Sequence, residues 1–114
     1  MSGRRLPAQL EVSGLVRRIE TEGGFATVVH KGDPEGGSLL LAVSSRGRHF
    51  AYLERILGVS GSYEWHRAGP PDSSGSTDLQ AFLAKRTRFD PDLWVLELDI
   101  ADPERFIAET TGSP

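Results

Sequence analysis

The sequence contains no cysteine. That excludes disulfide scaffolds, thiol nucleophiles and thiolate metal sites together, and nothing in it calls for an oxidising compartment, so the cytoplasm is the expected location. Long apolar runs are also missing. The longest, Leu39-Leu40-Leu41-Ala42-Val43, is far too short to span a membrane. Met1 to Arg5 is basic like the start of a signal peptide, but Glu11 arrives before an apolar region develops, so no export signal is expected. An excess of positive charge is lacking as well. Thirteen Lys and Arg against 16 Asp and Glu give a net charge of −3, which exerts no general pull on nucleic acid or anionic lipid. Neither a membrane nor a nucleic-acid partner is therefore expected. Nucleic-acid binding would depend on local clusters at Lys85, Arg86 and Arg88 and at the Arg46-Gly47-Arg48-His49 turn.

What is present is a packed globular composition. Of 114 residues, 38% are apolar and 25% charged, with both signs interspersed, which suits one domain over residues 1–114 with a hydrophobic core. Residues 1–5 are expected to be disordered, 69–76 to form a flexible loop rich in proline, glycine and serine, and 111–114 to be a tail.

Val12, Leu15, Val16 and Ile19 recur at helical spacing before Gly23-Gly24, which predicts a helix over 7–22, with the Ser13-Gly14 step as a point of weakness. Two β-rich runs, 25–31 and 38–44, flank a glycine-rich loop and read as a hairpin. A second pair, 49–57 and 62–67, flanks Gly58-Val59-Ser60-Gly61 and completes a four-strand meander. Its last strand turns Tyr63 and Trp65 inward and Glu64 and His66 outward.

Ser76 or Thr77 can cap a second helix that ends at Asp90-Pro91 and turns Leu79, Phe82, Leu83 and Phe89 inward. Lys85, Arg86 and Arg88 sit at its negative end, which accounts for the basic cluster without a ligand. Residues 92–100 alternate as a fifth strand, with Trp94, Leu96, Leu98 and Ile100 on one face and Leu93, Val95, Glu97 and Asp99 on the other. Asp102-Pro103-Glu104 opens a short last helix. The predicted fold class is α+β: a mainly antiparallel five-stranded sheet in the order helix, four-strand meander, helix, strand, short helix, with the helices mainly on one face.

Leu39 to Val43 is apolar at every position, and Leu93 and Val95 lie opposite the core face of the fifth strand. If the two long helices share one side, the short last helix is too small to cover the other, leaving an apolar patch. That patch predicts a homodimer, or another protein partner, across the outer sheet face.

Few residues carry chemistry. His30, His49 and His66 fall on three different strands without ligand spacing, so no metal site is expected. Gly58 to Ser62 lacks the second glycine and the following helix of a nucleophile elbow. The 31–37 loop joins strands and carries Asp33 and Glu35, which would repel a phosphate. Glu97 and Asp99 share a strand face with side chains roughly 7 Å apart, a spacing that carboxylate hydrolases use, although pairing with Arg46, Arg48 or Arg55 explains them as well. Ser74, Gly75 and Ser76 precede a helix N-terminus that could attract an anion. The element order is similar to the central part of the acyl-CoA N-acetyltransferases, but their glycine-rich signature is not reproduced by Arg67-Ala68-Gly69-Pro70-Pro71.

Three segments together resemble a known family: Leu15-Val16-Arg17-Arg18 leading to Glu22-Gly23-Gly24-Phe25-Ala26, then Lys31-Gly32-Asp33 with Gly37 to Leu41, then Arg88-Phe89-Asp90-Pro91-Asp92-Leu93-Trp94-Val95-Leu96-Glu97-Leu98-Asp99. The sequence is similar over nearly its whole length to the small alphaproteobacterial proteins grouped as a domain of unknown function, DUF1491. The resemblance implies a bacterial cytosolic origin and no activity, cofactor or site residue. The expected function is that of a non-enzymatic accessory or protein-interaction domain. The alternative is a small transferase or hydrolase using the 69–76 loop with Glu97 and Asp99.

Overall fold

A computed structural model describes residues 6–70 and 75–112. The predicted disordered start at 1–5, half of the predicted flexible loop (71–74) and the end of the predicted tail lie outside them. Eight elements follow one another: α1 (Ala8–Thr21), β1 (Phe25–His30), β2 (Leu39–Ser45), β3 (Arg48–Leu57), β4 (Tyr63–Ala68), α2 (Ser76–Phe89), β5 (Trp94–Asp99) and α3 (Pro103–Thr111). They fall within two residues of the sequence expectation, and α1 runs through Gly14 without a break.

The strands form one five-stranded sheet in the order β1-β5-β2-β3-β4. Here the expected four-strand meander is corrected. Only β2, β3 and β4 form one, while β5 inserts between β1 and β2, antiparallel to the first and parallel to the second. The physical reason is burial. β2 and β5 are apolar on both faces and belong at the centre, where both faces are covered. β1, with Thr27 and His30 on one face, tolerates the edge.

The helices divide between the faces. α1 and α3 cover one, where Val12, Ile19, Phe106 and Ile107 close over Leu39, Leu41, Val43, Leu53, Trp94, Leu96 and Leu98. On the other, Leu79, Phe82 and Leu83 of α2 lie over Leu40, Ala42, Tyr52, Leu93 and Val95. The two long helices therefore sit on opposite faces, and the patch on which the face-to-face dimer expectation rested is covered within the chain, with Leu40, Leu93 and Val95 fully buried. α2 is a lighter cover, since none of its residues is buried. The Tyr52 hydroxyl donates to the Leu79 carbonyl at 3.4 Å and pins it. Burial, and secondarily the Glu97 carboxylate, raises the pKa of that hydroxyl. Phe89, expected inward, is 72% exposed because it ends the helix, beyond the apolar stripe. Gly75, not Ser76 or Thr77, takes the α2 cap position, and no side chain caps it. At α3 the Asp102 carboxylate accepts from the Arg105 amide at 3.2 Å ahead of Pro103, as the sequence implies.

Loop 31–38 locks the architecture. The Trp94 indole N–H donates to the Asp33 carbonyl at 2.8 Å, and the Asp33 amide donates to the Asp92 carbonyl at 3.0 Å. Gly32 and Gly37 press so closely on the Asp92 carbonyl that a Cβ at either would collide with it. The Pro34 and Glu35 carbonyls then accept the Gln9 and Ala8 amides at 2.8 and 3.0 Å. These bonds serve donors at the α1 N-terminus, where Pro7 supplies no side-chain cap.

Trp94 thus combines core burial with the loop bond. Trp94→Ala should lose about 3–5 kcal/mol, enough to unfold or aggregate a domain of this size. Trp94→Phe, which keeps most apolar contact but orphans the Asp33 carbonyl, should lose roughly 1–3 kcal/mol. Urea denaturation of both variants checks the order, and an unchanged stability in Trp94→Phe would show that the indole bond contributes nothing.

Candidate functional site

The two edges of the sheet differ in chemistry. β4 carries Glu64, His66 and Arg67, charges of the kind that blunt an edge against pairing. β1 reads Phe-Ala-Thr-Val-Val-His, without a formal charge and without proline, and its Phe25, Val28 and Val29 are 72%, 41% and 53% exposed. Its only interruption is a bulge between Val28 and His30.

Backbone directions follow from the neighbouring ladder. The Trp94 and Ile100 amides donate to Ser38 and Ser44, toward β2. Alternation therefore turns the backbone of Val95, Glu97 and Asp99 toward β1. In the register Phe25↔Asp99 and Thr27↔Glu97, these pairs exchange the ladder bonds. Ala26 and Val28 consequently aim their N–H and C=O groups at the outer edge, where no other strand pairs with them among the described residues.

Beside this edge runs a groove of about 720 Å³. Val12, Val16, Arg17 and Glu20 of α1 form one wall, and Val28, Lys31 and the rim of Trp94 form the other. Its floor is apolar because Val12, Val16 and Val28 meet there. Arg17 and Lys31 rim it with positive charge, against the single carboxylate of Glu20. His30 stands at the end of the strand, its Nδ1–H donating to the Leu93 carbonyl at 2.7 Å and tying β1 to the start of β5.

The residues singled out from the sequence are not brought together here. Asp99 is engaged by the β2–β3 turn: its carboxylate accepts from the Arg46 amide at 2.9 Å and the Gly47 amide at 3.2 Å. Both residues have positive φ, 53° and 79°, the geometry of a two-residue type I′ hairpin that arginine adopts with difficulty. The bonds come from the Arg46 backbone and not from the arginine side chains considered as partners. Arg55 instead makes a bidentate pair with Glu11 at 2.9 Å on both branches, joining α1 to β3. Glu97 is exposed on the α2 face and does not line the groove. Ser74 lies outside the described residues, Gly75 precedes α2 and Ser76 begins it. Of the basic cluster, Arg86 pairs with Glu54 at 3.2 Å and Arg88 lies over Phe89. Among the described residues no three His, Asp or Glu side chains converge as a metal site, and no helix is long and apolar enough to cross a membrane.

The β1 edge was not singled out from the sequence, although its lack of charge beside the charged β4 was a readable signal. Its position at the edge depends on the insertion of β5.

The family model described as "Protein of unknown function (DUF1491)" matches residues 6–108. Among solved structures, the chain is similar to a crystal structure of a DUF1491 family protein from Caulobacter crescentus CB15, at 30% identity and a TM-score of 0.79, over 90% of this chain and 94% of that one. An NMR structure of a DUF1491 family protein from the same organism gives 32% identity and a TM-score of 0.74, over 91% and 94%. Protein Atu0922 from A. tumefaciens gives 28% and 0.66, over 86% and 88%. No protein of curated function matches.

The Asp99 carboxylate holds an exposed backbone turn, so Asp99→Ala should cost about 1–3 kcal/mol through the loss of two hydrogen bonds to a charged group that hold a left-handed arginine in place. Adding Arg46→Gly to that variant should recover part of the loss by removing the side chain from the strained position. Chemical denaturation of the two proteins checks this. An unchanged stability in Asp99→Ala would leave the carboxylate free for another role.

Proposed function

As this chain belongs to the DUF1491 family of proteins of unknown function, we propose that it is a cytoplasmic protein-interaction domain whose working surface is the outer edge of β1. The absence of cysteine supports the location. The observation that carries the interaction is the pairing of an uncharged edge strand with an apolar groove on its helix side. An extended segment of a partner can bond the outward backbone groups of Ala26 and Val28, continuing the sheet by one strand. Its alternate side chains would then fall toward Val12, Val16 and Val28, while Arg17 and Lys31 favour acidic residues beside them. Backbone bonds supply affinity in this mode, and the groove supplies selectivity. The protein partner, whether another copy or a different chain, thus meets the edge of the sheet and not its α2-covered face.

Panning a random peptide library on the full chain should enrich sequences of high strand propensity with acidic positions. Val28→Pro removes one outward N–H and no bond to β5, a change that edge strands tolerate. It should weaken selected peptides by roughly three- to tenfold, the worth of one net hydrogen bond, while the melting temperature stays close to that of the unaltered chain. Equal binding by Val28→Pro would remove the edge as the binding surface.

A further inference from the structure

Resting on this strand-addition reading, we infer that the segment received by β1 is β1 of a second copy of this chain, paired antiparallel about a two-fold axis through Thr27. The outward groups of Ala26 and Val28 fix the only centred register in which both chains use the same residues. Thr27 faces Thr27 of the second copy as a non-hydrogen-bonded pair, and Ala26 faces Val28 as a hydrogen-bonded one. The same register sets Phe25 opposite Val29, twice, so that the two most exposed apolar side chains of the strand cover each other.

The flanks are complementary under the same symmetry. β1 is preceded by Glu22 and followed by Lys31, so antiparallel pairing brings the Lys31 end of one copy to the Glu22 end of the other. Among the described residues the Glu22 carboxylate has only an exposed contact of 3.5 Å with Arg18, which leaves it able to turn to a second partner. A parallel arrangement would set Glu22 against Glu22 and Lys31 against Lys31. Shape, backbone polarity and charge therefore select one orientation, and closed two-fold association uses the same patch on both chains. The product is a continuous ten-stranded sheet, with the two β4 edges, already charged, at its ends.

The absence of cysteine makes the test clean. Thr27 is exposed, so Thr27→Cys should fold normally. The facing Cα atoms of a non-hydrogen-bonded pair, about 4.5 Å apart, suit a disulfide. Light scattering should give twice the chain mass for the unaltered protein. Oxidised glutathione should cross-link Thr27→Cys almost completely, each disulfide forming as glutathione takes up the two electrons and protons. Phe25→Cys should remain uncross-linked, since its equivalent in the second copy lies four residues away, roughly 13 Å. A monomer mass at high micromolar concentration without cross-linking at position 27 would overturn the second copy as occupant. So would a dimer mass without that cross-link, which would place the interface elsewhere. In either case peptide binding lost in Val28→Pro would still sustain the edge as a docking site for another protein, and its retention would sink both readings.

Discussion

The indole of Trp94 is where the architecture is tied together. Buried under α1, it spends its one polar atom on the Asp33 carbonyl. Asp33 in turn donates to Asp92, and two glycines let loop 31–38 lie flat against that carbonyl. The loop can then offer the Pro34 and Glu35 carbonyls to the first amides of α1. One core side chain thereby sets the strand order near β5, the path of the crossover loop and the starting point of α1. The segments 31–37 and 88–99, distant in sequence, are thus a single structural unit.

Burial accounts for the placement of the remaining elements. A strand that is apolar on both faces loses favourable free energy at an edge, at roughly 25 cal/mol for each Å² left in water. β2 and β5 therefore take the middle, and each face needs its own cover. α1 and α3 supply a dense one, reinforced by the bidentate Glu11–Arg55 pair. α2 supplies a thinner one through Leu79, Phe82 and Leu83 over Tyr52, whose ring stacks between Phe82 and His49 at 4.7 and 4.4 Å. The asymmetry explains why a protein of this size can leave an edge strand bare without losing its core.

Free strand edges usually carry a charge, a proline or a covering loop, because unpaired N–H and C=O groups are templates for further pairing. β4 meets that requirement with Glu64, His66 and Arg67, whereas β1 has only the bulge near its end, between Val28 and His30. The apolar strands β2 and β5 are enclosed, and the bare edge of β1 beside them is the observation from which the proposed strand addition starts. That mode would need no catalytic group. In the proposed mode the outward backbone of Ala26 and Val28 would supply affinity, and the groove flanked by Arg17 and Lys31 would supply selectivity.

The sequence by itself determined the local structure, because periodicity, turn residues and caps act over a few residues. The alternation from Trp94 to Asp99 placed each side chain on its true face, and Asp102-Pro103 opened α3 as written. The two-sided apolar character of β2 was legible too, as was the need to cover both of its faces. Tertiary structure alone decided which strands became neighbours, since a loop of the length of 31–38 permits either a hairpin or a crossover around an inserted strand. That choice brought the Asp99 carboxylate to the Arg46-Gly47 turn, and it placed α2 across the face that otherwise invited a second copy. It also put β1 at the edge beside α1. The groove exists only as a relation between those two elements, and no spacing within either of them encodes it.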